Sequence, residues 1–337
     1  MNPGVLAAFD RFSDLRVVVA GDIMLDAYVI GEVNRVSPEA PVAVLDVVRR
    51  DSRPGGAANV AENVRALGGH VAVCALVGND PAGAALKDLL HTRGVDTSAV
   101  LGDPERPTTV KTRLMSAGQH LLRTDEESTQ PVSRELALDL VAAFTELLDR
   151  HLPHVVILED YDKGVLTAVT IPGMLAACAA RSIPVAVDPK LRQFSIYRGV
   201  QLFKPNLKEL KEGTGKHSIT KNNSSEIEAA IEVLLAALHP EIALVTLSEL
   251  GVWVHAPHLG VLHERRPAHP REIVDVSGAG DTVIAVAALL LACGVGPVAL
   301  AEAANLAGGL ACERPGVHPL TLAELRSEWS ALYPSAQ

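Results

Sequence analysis

Residues 275–282 run DVSGAGDT, and residues 283–294 follow at once as VIAVAALLLACG. The second stretch is an apolar helix pattern. The first sets Ser277, Gly278, Ala279 and Gly280 beside one carboxylate, Asp281. Glycine in a helix costs about 1 kcal/mol relative to alanine, so two glycines at a helix mouth need a compensating gain. Successive backbone N–H groups at a helix start bind anions, helped by the helix dipole. Without side chains, that backbone can approach a phosphate or a developing oxyanion closely. A carboxylate in the same turn repels a resting phosphate, but it suits a base that takes a proton from an attacking hydroxyl. Taken alone, the stretch is equally a tight turn with Asp281 capping the helix.

Outward from this stretch, the chain alternates strand and helix. LRVVVAG is a strand ending at Gly21 and Asp22, and HVAVCALVGND is another. Between them GGAANVAENVRALGG places Ala57, Val60, Ala61, Val64 and Leu67 on one 3.6-period face. HVVILEDY, IPVAVDPK, GVQLFKPNLKEL and EIALVTLSELGVWVH continue the strands, with helices between and after them. Such alternation predicts an α/β fold: a doubly wound, mostly parallel sheet with helices on both faces. Two segments break the rhythm, at about 27–51 and 108–124. The second, TTVKTRLMSAGQHLLRTD, has the pattern of a hairpin turning at SAGQ. These segments predict a small separate β-sheet that covers a site or pairs with another chain.

The 337 residues fit one large α/β domain, and 48% hydrophobic content fills its core easily. A net charge of -10 with only 3% aromatics disfavours a nucleic-acid binder. No apolar run reaches the ~18 residues of a membrane helix, and the N-terminus turns charged too early for a signal peptide. The expectation is a cytoplasmic protein with no membrane partner. Cys74, Cys178, Cys293 and Cys312 form no C-x-x-C pair, so buried free thiols are expected. HLPH and HAPH, the closest histidine pairs, have a loop-like character rather than a metal-binding one.

In open α/β sheets, ligands bind beyond the carboxyl ends of the strands. Asp22, Asp160, Asp188, Asn206 and Thr246 all fall at such ends. RPGGAANVAENV is a second glycine-fronted helix. There Gly55 and Gly56 would let a polyhydroxy ligand reach the backbone, or would simply permit helix packing, and Asn59 can both donate and accept. KPNLKEL places Asn206 and Glu209 three apart, which suits either a water-mediated Mg²⁺ site or a capping box. The chain has no G-x-x-x-x-G-K-[ST], and no G-x-G-x-x-G follows the first strand. Phosphate handling must therefore be of a non-Walker kind, and a nicotinamide oxidoreductase is disfavoured.

Together these segments resemble the ribokinase-like (PfkB) carbohydrate kinase family over almost the whole chain. RPGGAANVAENVRALGG and DVSGAGDTVIAVAALLLACG match its early and late glycine-rich motifs in order and separation. NRVSPEAPV, LLRTDEE and EDYDKGVLT resemble most the members that phosphorylate D-glycero-β-D-manno-heptose 7-phosphate. The resemblance implies a ribokinase-like sheet with a small β-sheet lid, the lid serving as a homodimer contact. It implies ATP-dependent transfer to the anomeric hydroxyl, giving a 1,7-bisphosphate. It makes Asp281 the base, with Gly278, Ala279 and Gly280 as anion hole. Asp22, Gly55, Gly56 and Asn59 would hold the sugar, with Lys163 beside it. Lys190, Asn206, Glu209, Thr246, Gly251 and Asn305 would serve the nucleotide, Glu209 reaching Mg²⁺ through water. A monovalent cation is left open, because CERPGVHPLT stands where relatives carry a small-residue turn that helps hold one. Bifunctional relatives carry a second domain with an H-x-G-H motif. None occurs here, and a stand-alone kinase is the expectation. The alternatives are a kinase of the same family for ribose, fructose or a sugar acid, and a catalytically silent sugar- or nucleotide-binding protein.

Overall fold

The computed structural model describes residues 4–334. After a short helix, α1 (Val5–Phe9), comes strand β1 (Arg16–Gly21), then the hairpin β2 (Ile23–Val36) and β3 (Ala43–Gly56). Next are α2 (Ala57–Ala66), β4 (His70–Gly78), α3 (Pro81–Thr92), β5 (Asp96–Asp103) and the hairpin β6 (Val110–Ser116) and β7 (Gln119–Glu126). The middle of the chain gives α4 (Arg134–His151), β8 (Val155–Glu159), α5 (Thr170–Ala179), β9 (Val185–Asp188), β10 (Leu202–Phe203), α6 (Leu207–Thr214) and α7 (Ser224–Leu238). The last part gives β11 (Ile242–Thr246), β12 (Val252–Ala256), β13 (Val261–Arg266), α8 (Ala279–Ala292), α9 (Pro297–Ala311) and α10 (Leu322–Leu332).

Nine strands form one sheet in the order β13-β12-β11-β10-β9-β8-β1-β4-β5. It is parallel from β11 to β5, and β12 and β13 are antiparallel at one edge. Side chains of a strand alternate between faces, and β1 shows the result. Val17 and Val19 join the core under α2, α8 and α9, while Val18 and Ala20 join the core under α4, α5 and α7. Both faces are therefore buried, as an all-apolar parallel strand requires.

Helix α8 explains its own composition. Every residue from Asp281 to Leu290 is buried, because the helix lies between α2, α9 and the sheet. A helix apolar all round belongs in such a place. Its N-terminus then opens at the carboxyl edge of the strands.

The two irregular segments do form a second sheet, ordered β3-β2-β6-β7. Both hairpins are antiparallel, and β2 joins β6 in parallel. The SAGQ turn has Ala117 and Gly118 at φ 48 and 79, the paired positive values that match the twist of a two-residue hairpin.

Candidate active site

The sheet order brings the five strand-end residues into one row. Thr246, Asn206, Asp188, Asp160 and Asp22 follow the adjacent strands β11, β10, β9, β8 and β1. Beside three of them lies a cavity of about 760 Å³. Asp188, Asn206 and Thr246 line it, together with Lys190, Lys204, Gly251, Asn305 and the α8 mouth from Gly278 to Asp281. Asn305 supports the wall: its Nδ2 donates to Pro267 O at 2.8 Å, fixing the loop whose His269 and Arg271 line the cavity.

Asp281 is the third residue of α8, with Gly278 as N-cap at φ 77 and no side-chain cap. The capping reading of Asp281 is therefore not what the fold uses. Its Oδ2 accepts from Asn59 Nδ2 at 2.6 Å, and its Oδ1 accepts from the Tyr161 hydroxyl at 2.7 Å. Burial raises the acid to about 6, against the two donors that lower it. A base that titrates just below neutrality is ionised at pH 7 and still able to hold a proton. First-turn amides of a helix have no intrahelical acceptor; that of Ala279 donates to Val276 O at 3.3 Å, which leaves those of Gly280 and Asp281 beside this carboxylate.

The glycines divide by what they face. A Cβ on Gly280 would lie 3.7 Å from Lys204 Nζ and 3.8 Å from Asp188 Oδ2, in the cavity. A Cβ on Gly278 would sit 2.9 Å from Asn59 Nδ2. The early glycines leave room for neighbouring protein atoms. A Cβ on Gly55 would lie 2.3 Å from Asp26 Oδ2, and one on Gly56 would lie 2.5 Å from Asp22 O.

Asp22 also differs from expectation. Its carboxylate accepts from three backbone amides, of Tyr161, Lys163 and Val165, at 2.8 to 3.1 Å. Buried and filled, it ties the loop after β8 to the end of β1 and offers little to a sugar. Asp26, four residues on, is a second buried acid that sequence reasoning did not single out. It is buried on β2, opposite Arg53 in the strand register, and ion-paired with Arg113 of β6. The spacing in GDIMLD was the available signal, but nothing in it ranked one aspartate above the other. Lys163 pairs with Glu127 at 2.6 Å, and Glu127 also takes Lys111 at 3.0 Å. Asp160 turns from the cavity to the buried Tyr197 hydroxyl at 2.7 Å, and burial lifts it to about 7.

Asn206 and Glu209 form a full capping box at the start of α6. The second Glu209 oxygen binds Lys190 at 2.6 Å. Both Glu209 oxygens are thus taken by donors of the protein. Lys204, fully buried, pairs with Asp188 at 2.6 Å. Burial alone would discharge Lys204, but Asp188 and Glu209 keep it protonated. The carboxylates of Asp188 and Glu209 are hard oxygen donors that fit Mg²⁺, which retains waters and binds phosphate oxygens.

Residues 14–322 match the model of the pfkB family carbohydrate kinases. The chain belongs to that family, and is thus a phosphotransferase with an alcohol acceptor. It is 40% identical over 321 residues to the Bifunctional protein HldE of Geobacter metallireducens, covering 95% of this chain and 64% of that one. It is 41% identical over 314 residues to the Bifunctional protein HldE of Caulobacter vibrioides, covering 93% and 63%. The chain thus spans under two thirds of these relatives. Among solved structures, Escherichia coli phosphofructokinase-2 in complex with potassium aligns at TM-score 0.75 and 17% identity, covering 94% of this chain and 99% of that one. Arabidopsis thaliana ribokinase complexed with ribose and ATP aligns at 0.68 and 19%, covering 93% and 98%. Both confirm the ribokinase-like fold. No helix among the described residues is long and apolar enough to cross a membrane.

Proposed function

We propose that this chain transfers the γ-phosphoryl group of ATP to the anomeric hydroxyl of D-glycero-β-D-manno-heptose 7-phosphate. The observation that carries the chemistry is Asp281. It is buried at a helix mouth, held by two donors and set beside open amides and Lys204. The choice of sugar rests on the NRVSPEAPV and EDYDKG stretches and on the kinship with the HldE proteins.

In this reading the cavity beside Thr246, Gly251 and Asn305 takes the nucleotide. Asp281 accepts the proton as the sugar oxygen forms its bond to phosphorus, and the bond from phosphorus to the β–γ bridging oxygen breaks to release ADP. The amides around Gly278, Ala279 and Gly280, with Lys204 and Lys190, meet the negative charge on the transferred group. Asp188, Glu209 and Asn206 would hold Mg²⁺ through water; the ion would neutralise phosphate charge. Asp26 and Asn59 hold the sugar hydroxyls, and Asp22 keeps the loop in place. Asp275 joins two loops by accepting from Ser277 N at 2.9 Å and Gly316 N at 2.7 Å.

The small sheet acts as a lid over the sugar, excluding water that would otherwise consume ATP. It also pairs with a second copy of the chain. Val36, Val48 and Leu122 on its strands, and Val42 in the β2–β3 turn, are each more than half exposed.

A panel of sugars and sugar phosphates, assayed with ATP and Mg²⁺ for ADP release, tests the reading. Turnover on the heptose phosphate supports it. Turnover on ribose, fructose or a sugar acid instead would move the chain elsewhere in the family. Sugar-induced thermal stabilisation without any ADP would make it a binding protein.

A further inference from the structure

The cavity beside α8 has walls of two kinds. Charged and polar groups follow the strand ends, and the loop from Pro267 to Val276 adds the apolar Ala268, Pro270, Ile273 and Val276. Ile273 and Val276 are each more than half exposed, so an apolar occupant gains by covering them. Helix α9 presents Asn305, Gly308, Gly309 and Cys312 to the same space, a spacing that puts them on one helical face. Gly308 lies against the α8 mouth, where a Cβ would stand 3.8 Å from Ala279 O. Asn305, one turn before it, is the one side-chain amide on that face.

The Asn305 amide is oriented by a partner that can only accept. Pro267 O takes its Nδ2 at 2.8 Å, which turns the amide oxygen the other way. No donor among the described residues meets that Oδ1, and it is not sealed from solvent. The loop that carries Pro267 is itself held at both ends. Gly251, at φ 89, packs so closely on its start that a Cβ would run into Arg266 O and Ala268 N. At its far end the amides of Val274 and Asp275 both donate to Cys312 O, at 2.9 and 3.1 Å. Asn305 therefore offers the cavity an acceptor of fixed direction and no donor.

We propose that Asn305 selects the nucleobase: its Oδ1 accepts from the 6-amino group of adenine and turns away 6-oxo purines. The proposal rests on the reading of this cavity as the nucleotide site. Guanine or hypoxanthine would set a second acceptor against Oδ1. Rotating the amide to meet them would only move the clash, because Oδ1 would then face Pro267 O. Either way one polar group is left without a partner, and a site built around a hydrogen bond rejects a ligand that cannot make it.

The experiment measures, by calorimetry, the affinities of ADP, purine riboside diphosphate and inosine diphosphate, which carry an amino group, a hydrogen and an oxo group at the same ring position. Wild type should bind ADP about tenfold more tightly than purine riboside diphosphate and about a hundredfold more tightly than inosine diphosphate. In Asn305→Ala the three affinities should fall within about threefold of one another. Losing the tether to Pro267 weakens all three alike, so the ratios and not the absolute affinities carry the test. A wild type that binds the three equally overturns the proposal, and so does a variant that keeps the wild-type ratios. Flat ratios with ADP bound leave the nucleotide site standing and remove the base selection; no binding of any of the three removes both. If the variant does not fold, nuclear magnetic resonance of the wild type with ADP labelled at the amino nitrogen decides. An amino proton moved downfield and slowed in exchange on binding supports the proposal, and an amino signal like that of free ADP sinks it.

Discussion

Asn59 and Asp281, separated by 222 residues of chain, meet through a 2.6 Å hydrogen bond in the buried floor of the cavity. The bond joins the N-terminal turns of α2 and α8, the two glycine-fronted helices. With the Tyr161 hydroxyl it lowers the titration of a carboxylate that burial has raised to about 6. The acid limb of kcat/KM is therefore expected near pH 6. Asn59→Ala and Tyr161→Phe each remove a donor to the ionised form, so each should move that limb to higher pH. A pH–rate profile of the two variants checks the direction.

Asp281→Asn keeps the size and the contact with Tyr161 but cannot take a proton. Turnover should fall about 10²- to 10⁴-fold, the range for loss of a positioned base. Nucleotide affinity, measured by calorimetry, should change little. A variant with near wild-type turnover would remove Asp281 as the base.

Asp22 and Asp26 should separate cleanly. Asp22→Ala leaves three inward amides without an acceptor, each costing about 1 to 3 kcal/mol. It should appear as a large drop in denaturant midpoint. Asp26→Ala should raise KM for the sugar while KM for ATP stays put. If Asp22→Ala shifts sugar KM in a fully stable protein, the assignment is reversed.

The two glycines of the α8 mouth should differ as well. Gly278 has φ 77, and its Cβ would press on Asn59. Gly278→Ala should cost stability and activity together. At Gly280 the nearest atoms, 3.7 and 3.8 Å from a Cβ, are at ordinary contact distance. Gly280→Ala should fold and melt like the wild type yet lose turnover, because the methyl occupies the phosphoryl position. Thermal melts paired with kinetics distinguish the two.

Val48 on β3 is 73% exposed. If the small sheet pairs with its copy, Val48→Lys places a charge in an apolar contact and should shift the chain toward monomer in analytical ultracentrifugation. An unchanged sedimentation coefficient, equal to that of a monomer for both proteins, would reject the lid interface.

Much of this architecture is legible in the amino-acid order. Alternating strands and helices specify the parallel sheet because each pattern has its own period and its own face to bury. The break in that alternation marks the second sheet. The spacing of Asn206 and Glu209 announces a capping box, since three residues bring the two side chains onto one helical turn. Tyr161 could have been marked by the same strand-end logic that marked Asp160.

The sequence by itself determined that glycine-fronted helices and strand-end carboxylates exist, and that one buried helix begins at Asp281's turn. It could not assign partners, because contacts such as Asn59 to Asp281, Lys190 to Glu209 and Lys204 to Asp188 depend on which strands become neighbours. Only the order of strands in the sheet decided that Asp188 and Asp281 face a cavity while Asp22 and Asp160 close on loop amides and Tyr197. Local residue type fixes what a side chain can donate or accept. Long-range packing fixes what is left to bind, and here it left Asp281 paired with two donors and Asn305 with one open oxygen.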